Sequence, residues 1–94
     1  MKRIQFYFFV FRMTRLSTRV QREEKNSKWI SAIRSYGKLL ALYDKFEYFG
    51  LPCEAKMASK EATLQRMIEC HKKRGDLKEV QMLTGKIKTL HSSG

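Results

Sequence analysis

The sequence predicts an all-α protein, an antiparallel three-helix bundle with an extended or helical basic N-terminal arm. Apolar residues after position 26 recur at intervals of three and four, which is the period of an amphipathic helix. One proline and five glycines provide few turns, so long helices are favoured over many short strands. Because 43% of the 94 residues are hydrophobic, the chain has material for one folded domain.

Residues 1–25 form the predicted basic arm, and residues 26–94 form the predicted bundle. The first acidic residue is Glu23. An Arg-rich segment with hydroxyl side chains and no acid is typical of mitochondrial targeting, because a cationic helix is drawn to negative membrane surfaces and a negative matrix potential. We therefore expect a mitochondrial matrix protein that retains its arm. The cations that precede Glu23 are Lys2, Arg3, Arg12, Arg15, Arg19 and Arg22.

The arm also contains the aromatic run IQFYFFVF at positions 4–11. A secretory signal is disfavoured because Gln5 interrupts the run and no small-residue cleavage site follows it. A strand or extended segment held by a partner is the alternative to a helix here. No apolar run reaches the roughly 18 to 20 residues that span a bilayer.

Residues 27–49 are predicted as the first helix of the bundle. Asn26 or Ser27 is expected to cap it, and Gly50 and Pro52 are expected to end it. Its apolar stripe consists of Trp29, Ile33, Tyr36, Leu40 and Tyr43.

Two further helices are predicted at residues 54–74 and 76–91. Gly75 separates them. The apolar side of the second helix consists of Met57, Leu64, Met67, Ile68 and His71. The stripe of the third helix consists of Leu77, Val80, Leu83, Ile87 and Leu90. Short connections between amphipathic helices favour an antiparallel bundle.

The sequence indicates a protein that is not an enzyme. Cys70 and His71 are adjacent, so their side chains diverge by about 100° on a helix and do not converge on one substrate atom. Cys53 and His91 lie in no catalytic motif, and phosphate-binding and dinucleotide-binding glycine motifs are missing. We also expect no metal site, because a tetrahedral site would need further ligands at suitable spacing.

The net charge of +11 favours anionic partners: nucleic acid, an anionic membrane surface or an acidic protein. One hypothesis is a structural mitoribosomal protein that contacts rRNA, with arginines on phosphates and aromatic rings on unpaired bases. The basic cluster at residues 72–74 has an alternative role to RNA binding, which is to complement the dipole at the C-terminus of a helix. The candidate nucleic-acid-binding residues are Arg3, Arg12, Arg15, Arg19, Arg22, Lys72, Lys73 and Arg74.

The string YGKLLALYDKF at residues 36–46 resembles the first helix of the LYR family of small mitochondrial adaptors. In that family a Tyr is followed by a Leu-Leu pair and then by a Phe about ten residues after the Tyr. Ser35 and Gly37 stand where the family has Leu and Arg. The matching residues are Tyr36, Leu39, Leu40 and Phe46.

This resemblance implies a three-helix adaptor that binds mitochondrial acyl carrier protein. The four matching residues would line a tunnel for the acyl chain, and Lys38 and Arg34 would face the acidic carrier. The protein would have no cofactor of its own, only the acyl-phosphopantetheine of the bound carrier. We therefore expect an adaptor subunit of a large assembly: a mitoribosome, its assembly intermediate or a respiratory complex.

These hypotheses are compatible, since a bundle could bind a carrier while the arm binds RNA. A third hypothesis is a fragment of a helical-repeat protein. RGDLKEV at residues 74–80 resembles the joint between helices of a pentatricopeptide-type repeat. A stable solenoid needs about three repeats, however, and only one such joint is present.

Overall fold

The computed structural model describes residues 2–92 and consists of four α-helices in that range. No strand occurs among the described residues. The all-α prediction is therefore confirmed, but the helix count is four and not three. The helices are α1 (Lys2–Lys25), α2 (Trp29–Tyr43), α3 (Cys53–Arg74) and α4 (Leu77–Ser92).

The N-terminal segment is a structural helix and not an arm beside the bundle. Phe9 and Val20 are only 4% and 3% exposed, and the Phe9 ring packs edge-on against that of Phe46 at 5.7 Å. Apolar side chains on α1 recur every three or four residues, which gives this helix a face that the core covers. That stripe consists of Phe6, Phe9, Met13, Leu16 and Val20.

Helix α2 ends at Tyr43 instead of at residue 49, and turns follow at residues 44–50. The backbone N–H groups of residues 45 and 46 each bond to the carbonyl three residues earlier, at 3.0 Å, which tightens the chain relative to an α-helix. These turns bring Phe46 and Phe49 against Phe9, with ring centroids 5.7 and 4.9 Å away. The end of α2 is thus determined by contacts with α1.

The boundaries of the later helices agree with the predicted spans to within one residue. Pro52 occupies the extended position before α3. Gly75 ends α3 with a φ of 74°, and its N–H bonds to the carbonyls of His71 and Lys72, as a left-handed helix terminus requires. The predicted cap of α2 is wrong: its N-cap is Lys28, which makes no side-chain capping bond.

Each helix packs against its neighbours in the chain, α1 on α2, α2 on α3 and α3 on α4. The short connections make successive helices antiparallel. The resulting array is flat, with principal dimensions of 45 × 33 × 13 Å. Helix α2 lies between α1 and α3, so it contributes much of the core. Its buried apolar residues are Ala32, Tyr36, Leu39, Leu42 and Tyr43.

Two adjacent acids at the end of α1 connect it to both of the next helices. The Ser35 hydroxyl on α2 donates a 2.7 Å hydrogen bond to Glu23. The Arg66 guanidinium on α3 donates a 2.6 Å hydrogen bond to Glu24. Because a buried carboxylate needs such partners to offset its desolvation, these contacts fix how α1 sits on the array.

Candidate functional site

A cationic groove runs along α1 and is closed on one side by Lys38 of α2. Four arginines are spaced by three or four residues, so they share one face of α1. The groove has a volume of about 480 Å³. We call it the basic groove. Its cations are Arg12, Arg15, Arg19, Arg22 and Lys38, and its remaining lining residues are Phe11, Thr14, Leu16 and Thr18.

Little of this positive charge is neutralised by the protein itself. Arg19 lies 3.7 Å from Glu23, whose carboxylate points inward to the Ser35 hydroxyl. The Arg15 guanidinium lies 5.7 Å from the centre of the Phe11 ring. Among the described side chains, Arg12, Arg22 and Lys38 have no carboxylate within ion-pair distance. The groove therefore presents a positive potential to solvent.

Two more candidate cations lie outside this groove. Arg34 is exposed on α2, one helical turn before Lys38 and on the same side of the helix. Arg3 is exposed near the start of α1 and lines a separate small cleft with Tyr7 and Phe49.

The cations at the end of α3 form a different surface. Lys72 lies 3.5 Å from Glu69, and Arg74 lies 3.8 Å from Asp76. Lys73 lines a cleft beside Trp29. Because two of the three cations face carboxylates, this cluster has less unpaired charge than the basic groove. Its position at a helix C-terminus favours the alternative role, which is to complement the helix dipole.

A second cavity, the aromatic pocket, opens where the start of α1 meets the turns after α2. Its volume is about 510 Å³. The pocket depends on the path of residues 44–50, so no local sequence pattern indicated it. Arg12 lines both this pocket and the basic groove, so the two cavities are neighbours. The pocket is lined by Gln5, Phe8, Phe9, Arg12, Leu42, Asp44, Lys45, Tyr48 and Phe49.

The residues of the LYR-like string do not share a single cavity. Tyr36 and Leu39 line a cleft of about 390 Å³ between α1 and α3. Leu40 is partly buried against the core. Phe46 packs against Phe9 and the Tyr43 ring, at 5.7 and 5.4 Å. The structure thus brings two of these four residues together in an open cleft.

The cleft beside Tyr36 contains one cation. The Arg66 side chain donates a hydrogen bond of 3.4 Å to the Tyr36 hydroxyl. Burial raises the pKa of Tyr36 to about 12, with hydrogen bonds to Arg66 and Glu24 acting in opposite directions. Tyr36 is therefore a neutral phenol at physiological pH, and Arg66 supplies the positive charge at the cleft.

The surroundings of Cys70 keep its side chain in the thiol form. Cys70 is buried and donates a 3.4 Å hydrogen bond to Glu24. Burial, and then this contact, raise its pKa to about 12, which suppresses the thiolate that a nucleophile needs. The described residues contain no group of three His, Cys, Asp or Glu side chains able to hold a metal ion.

No protein-family model matches the chain, and neither a curated protein nor a solved structure matches it at a significant level. Among residues 2–92, none of the helices combines the length and the hydropathy of a membrane-spanning segment.

Proposed function

We propose that this protein is a non-catalytic RNA-binding subunit of a large assembly, and that the basic groove contacts the phosphate backbone. One observation carries this proposal: four arginines of α1 and Lys38 of α2 line a single open groove. At a rise of 1.5 Å per residue, the four arginines are distributed along about 15 Å of helix. A row of cations on this scale suits a row of phosphates better than a single small anion.

The surroundings of the groove favour RNA over an acidic protein. Phe11 lies within the groove and is 57% exposed, and Phe8 on the same helix is 64% exposed. Exposed rings among arginines suit unpaired bases, because rings stack on bases while guanidinium groups bind phosphates.

The proposal is tested by titrating labelled RNA with the full-length protein at several salt concentrations. With about five phosphate contacts on a single strand, the slope of log K against log salt should be about −3.5. Absence of RNA binding at about 50 mM salt, where such contacts are strongest, would contradict the proposal.

We propose the mitochondrial matrix as the location, and a mitoribosome or its assembly intermediate as the RNA-containing assembly. The supporting observation is the absence of acids before Glu23 in an Arg-rich segment. Because α1 belongs to the core, a fluorescent fusion should carry the full chain and not residues 1–25 alone. Mitochondrial fluorescence is expected, and fluorescence confined to the cytosol would refute this location.

A second candidate function is binding of an acyl carrier protein, in a mitoribosomal or a respiratory assembly. The observation in its favour is the cleft where Tyr36 and Leu39 meet Arg66. An acyl chain would gain about 0.8 kcal/mol for each methylene buried there, while Arg34, Lys38 and Arg66 would attract the acidic carrier and its phosphopantetheine.

Gly37 permits a direct test of this second function. A Cβ atom added at Gly37 would meet no neighbouring atom within 4 Å, and Gly37 is exposed, so Gly37→Arg restores the arginine of the LYR pattern at a position open to solvent. Replacing a helical glycine should also stabilise the fold by up to about 1 kcal/mol. We expect Gly37→Arg to increase the binding of acyl-loaded carrier protein, measured by calorimetry.

Gly85→Arg is the matched control, because Gly85 is also helical with open space around it. It adds the same charge and the same helix propensity on α4. The adaptor function would be rejected if both substitutions changed carrier binding equally. It would also be rejected if the unaltered protein, Gly37→Arg and Gly85→Arg all failed to bind the carrier.

A further inference from the structure

We infer that the aromatic pocket receives one unpaired base of an RNA strand whose phosphates lie in the basic groove. The inference rests on the proposed RNA-binding function and adds a ligand class to it: single-stranded RNA in preference to duplex. The first support is adjacency. Arg12 lines both cavities, so a strand held by Arg12 through a phosphate can bring a neighbouring base to the aromatic pocket.

The Tyr48 ring of the pocket is held in place before any ligand binds. Tyr48 donates a 2.9 Å hydrogen bond to Gln5, and its ring meets the Phe49 ring edge-on at 4.9 Å. Phe9 and Leu42 are both 4% exposed and form an apolar floor. A fixed ring needs little reordering when a base stacks on it, which lowers the entropic cost of binding.

Two exposed rings provide surface for stacking. Phe8 is 64% exposed and Tyr48 is 55% exposed, although both line the pocket. Exposed aromatic faces are costly to hydrate and gain by contact with a flat base. Because every base has such a face, the pocket should accept all four bases with modest preference.

Polar groups at the pocket distinguish a nucleotide from a purely apolar ligand. Asp44 and Lys45 line it together with Gln5, which provides hydrogen-bond donors and acceptors for the edge of a base. Arg12 provides the charge for the adjoining phosphate. A duplex does not satisfy this arrangement, because its bases are stacked and paired.

The experiment compares three fluorescent RNA probes of about ten nucleotides, a length within the range of single-strand sites. These are a uridine strand, the same strand paired with its complement, and a strand of abasic ribose phosphates. Each is titrated into the full-length protein, into Phe8→Ala and into Tyr7→Ala. Tyr7 is the matched control, because it is 72% exposed beside Phe8 but does not line the aromatic pocket.

Phe8→Ala should weaken binding of the uridine strand by about 5-fold to 100-fold, whereas Tyr7→Ala should change it by no more than about two-fold. Both variants should bind the abasic strand as the unaltered protein does, and the unaltered protein should prefer the uridine strand to the duplex. Equal affinity of the unaltered protein for abasic and uridine strands would overturn the base pocket while leaving phosphate binding intact.

Two other outcomes of the experiment can be distinguished from equal affinity for the abasic and uridine strands. If no RNA probe binds, the proposed function and the base pocket fail together. If Phe8→Ala instead abolishes binding to vesicles containing phosphatidylserine and leaves RNA binding unchanged, the exposed rings serve a membrane surface and the inference is rejected.

Discussion

Replacing Arg15 and Arg22 together with glutamine is expected to weaken RNA binding by about two orders of magnitude. A charge-assisted hydrogen bond contributes about 1.5 kcal/mol, and 1.4 kcal/mol corresponds to tenfold in affinity. The slope of log K against log salt should also become shallower by about 1.4, because each phosphate contact on a single strand contributes about 0.7. Fluorescence anisotropy across a salt series measures both quantities.

The fold should tolerate this double substitution. Both side chains are exposed, and neither forms an ion pair among the described residues. The contact of Arg15 with the Phe11 ring is worth about 0.5 kcal/mol at an exposed site. A loss of RNA affinity would therefore result from the changed groove and not from unfolding of the protein.

Lys78→Gln with Lys86→Gln is the matched control for total charge. Both lysines are exposed on α4, whose main packing partner is α3, and neither lines the basic groove. At physiological salt, charges separated by more than about 8 Å are largely screened, so this pair should scarcely alter RNA affinity. If the two double variants weakened binding equally, binding would follow net charge alone, and the groove would not be the site.

Replacing Phe9 with alanine should lower the free energy of unfolding by about 3 to 4 kcal/mol, through lost burial and the cavity left behind. The Phe9 ring is 4% exposed and lies 4.9 Å from the Phe49 ring. Domains of this kind have about 5 to 15 kcal/mol of stability in total. The midpoint of thermal unfolding should therefore fall by about 15 °C, as circular dichroism would show.

Phe8→Ala provides the comparison, because it removes the same ring one position away. With 64% of Phe8 exposed, its loss should cost no more than about 0.5 kcal/mol. A difference between these neighbours tests whether α1 is packed as a helix. Similar small effects for both would mean that the N-terminal segment does behave as an arm outside the folded core.

The helices at residues 53–74 and 77–92 could be predicted almost to the residue because their limits are set locally. Pro52 favours a helix start immediately after it, and Gly75 provides the left-handed terminus that other residues rarely adopt. The end of α2 could not be predicted in this way. The helix ends before Phe46 and Phe49 because both side chains pack against the Phe9 ring of α1. Phe9 lies some 40 residues earlier in the sequence.

A helix was one of the two predicted forms of the N-terminal segment, and its packing in the core was also within reach of the sequence. A stripe from Phe6 to Val20 has the same period as the stripes of the other helices. The arginines and exposed aromatic residues between its members led instead to the prediction of an arm. One helix can carry both patterns, because its core face and its solvent face are separate.

The parts of the candidate site were only partly predictable. The arginines of α1 were predicted as candidate nucleic-acid contacts from the composition of the segment. Lys38 was assigned to an acidic carrier, and only the pairing of α1 with α2 brings it beside those arginines. Phe8, Lys45 and Tyr48 were not singled out, because the pocket they share forms only when the turns after α2 fold back onto α1.

The flat shape of the array has a consequence for the amount of this protein in a cell. Its accessible surface is 6771 Å², whereas a globular monomer of this mass has about 5,700 Å². The excess of about 1,000 Å² is comparable to what one partner buries in a standard interface. If the protein is a subunit as proposed, copies outside the assembly would lack that stabilisation and unfold more often, so proteases would remove them first. Degradation of the surplus would then match the abundance of the protein to that of the proposed assembly.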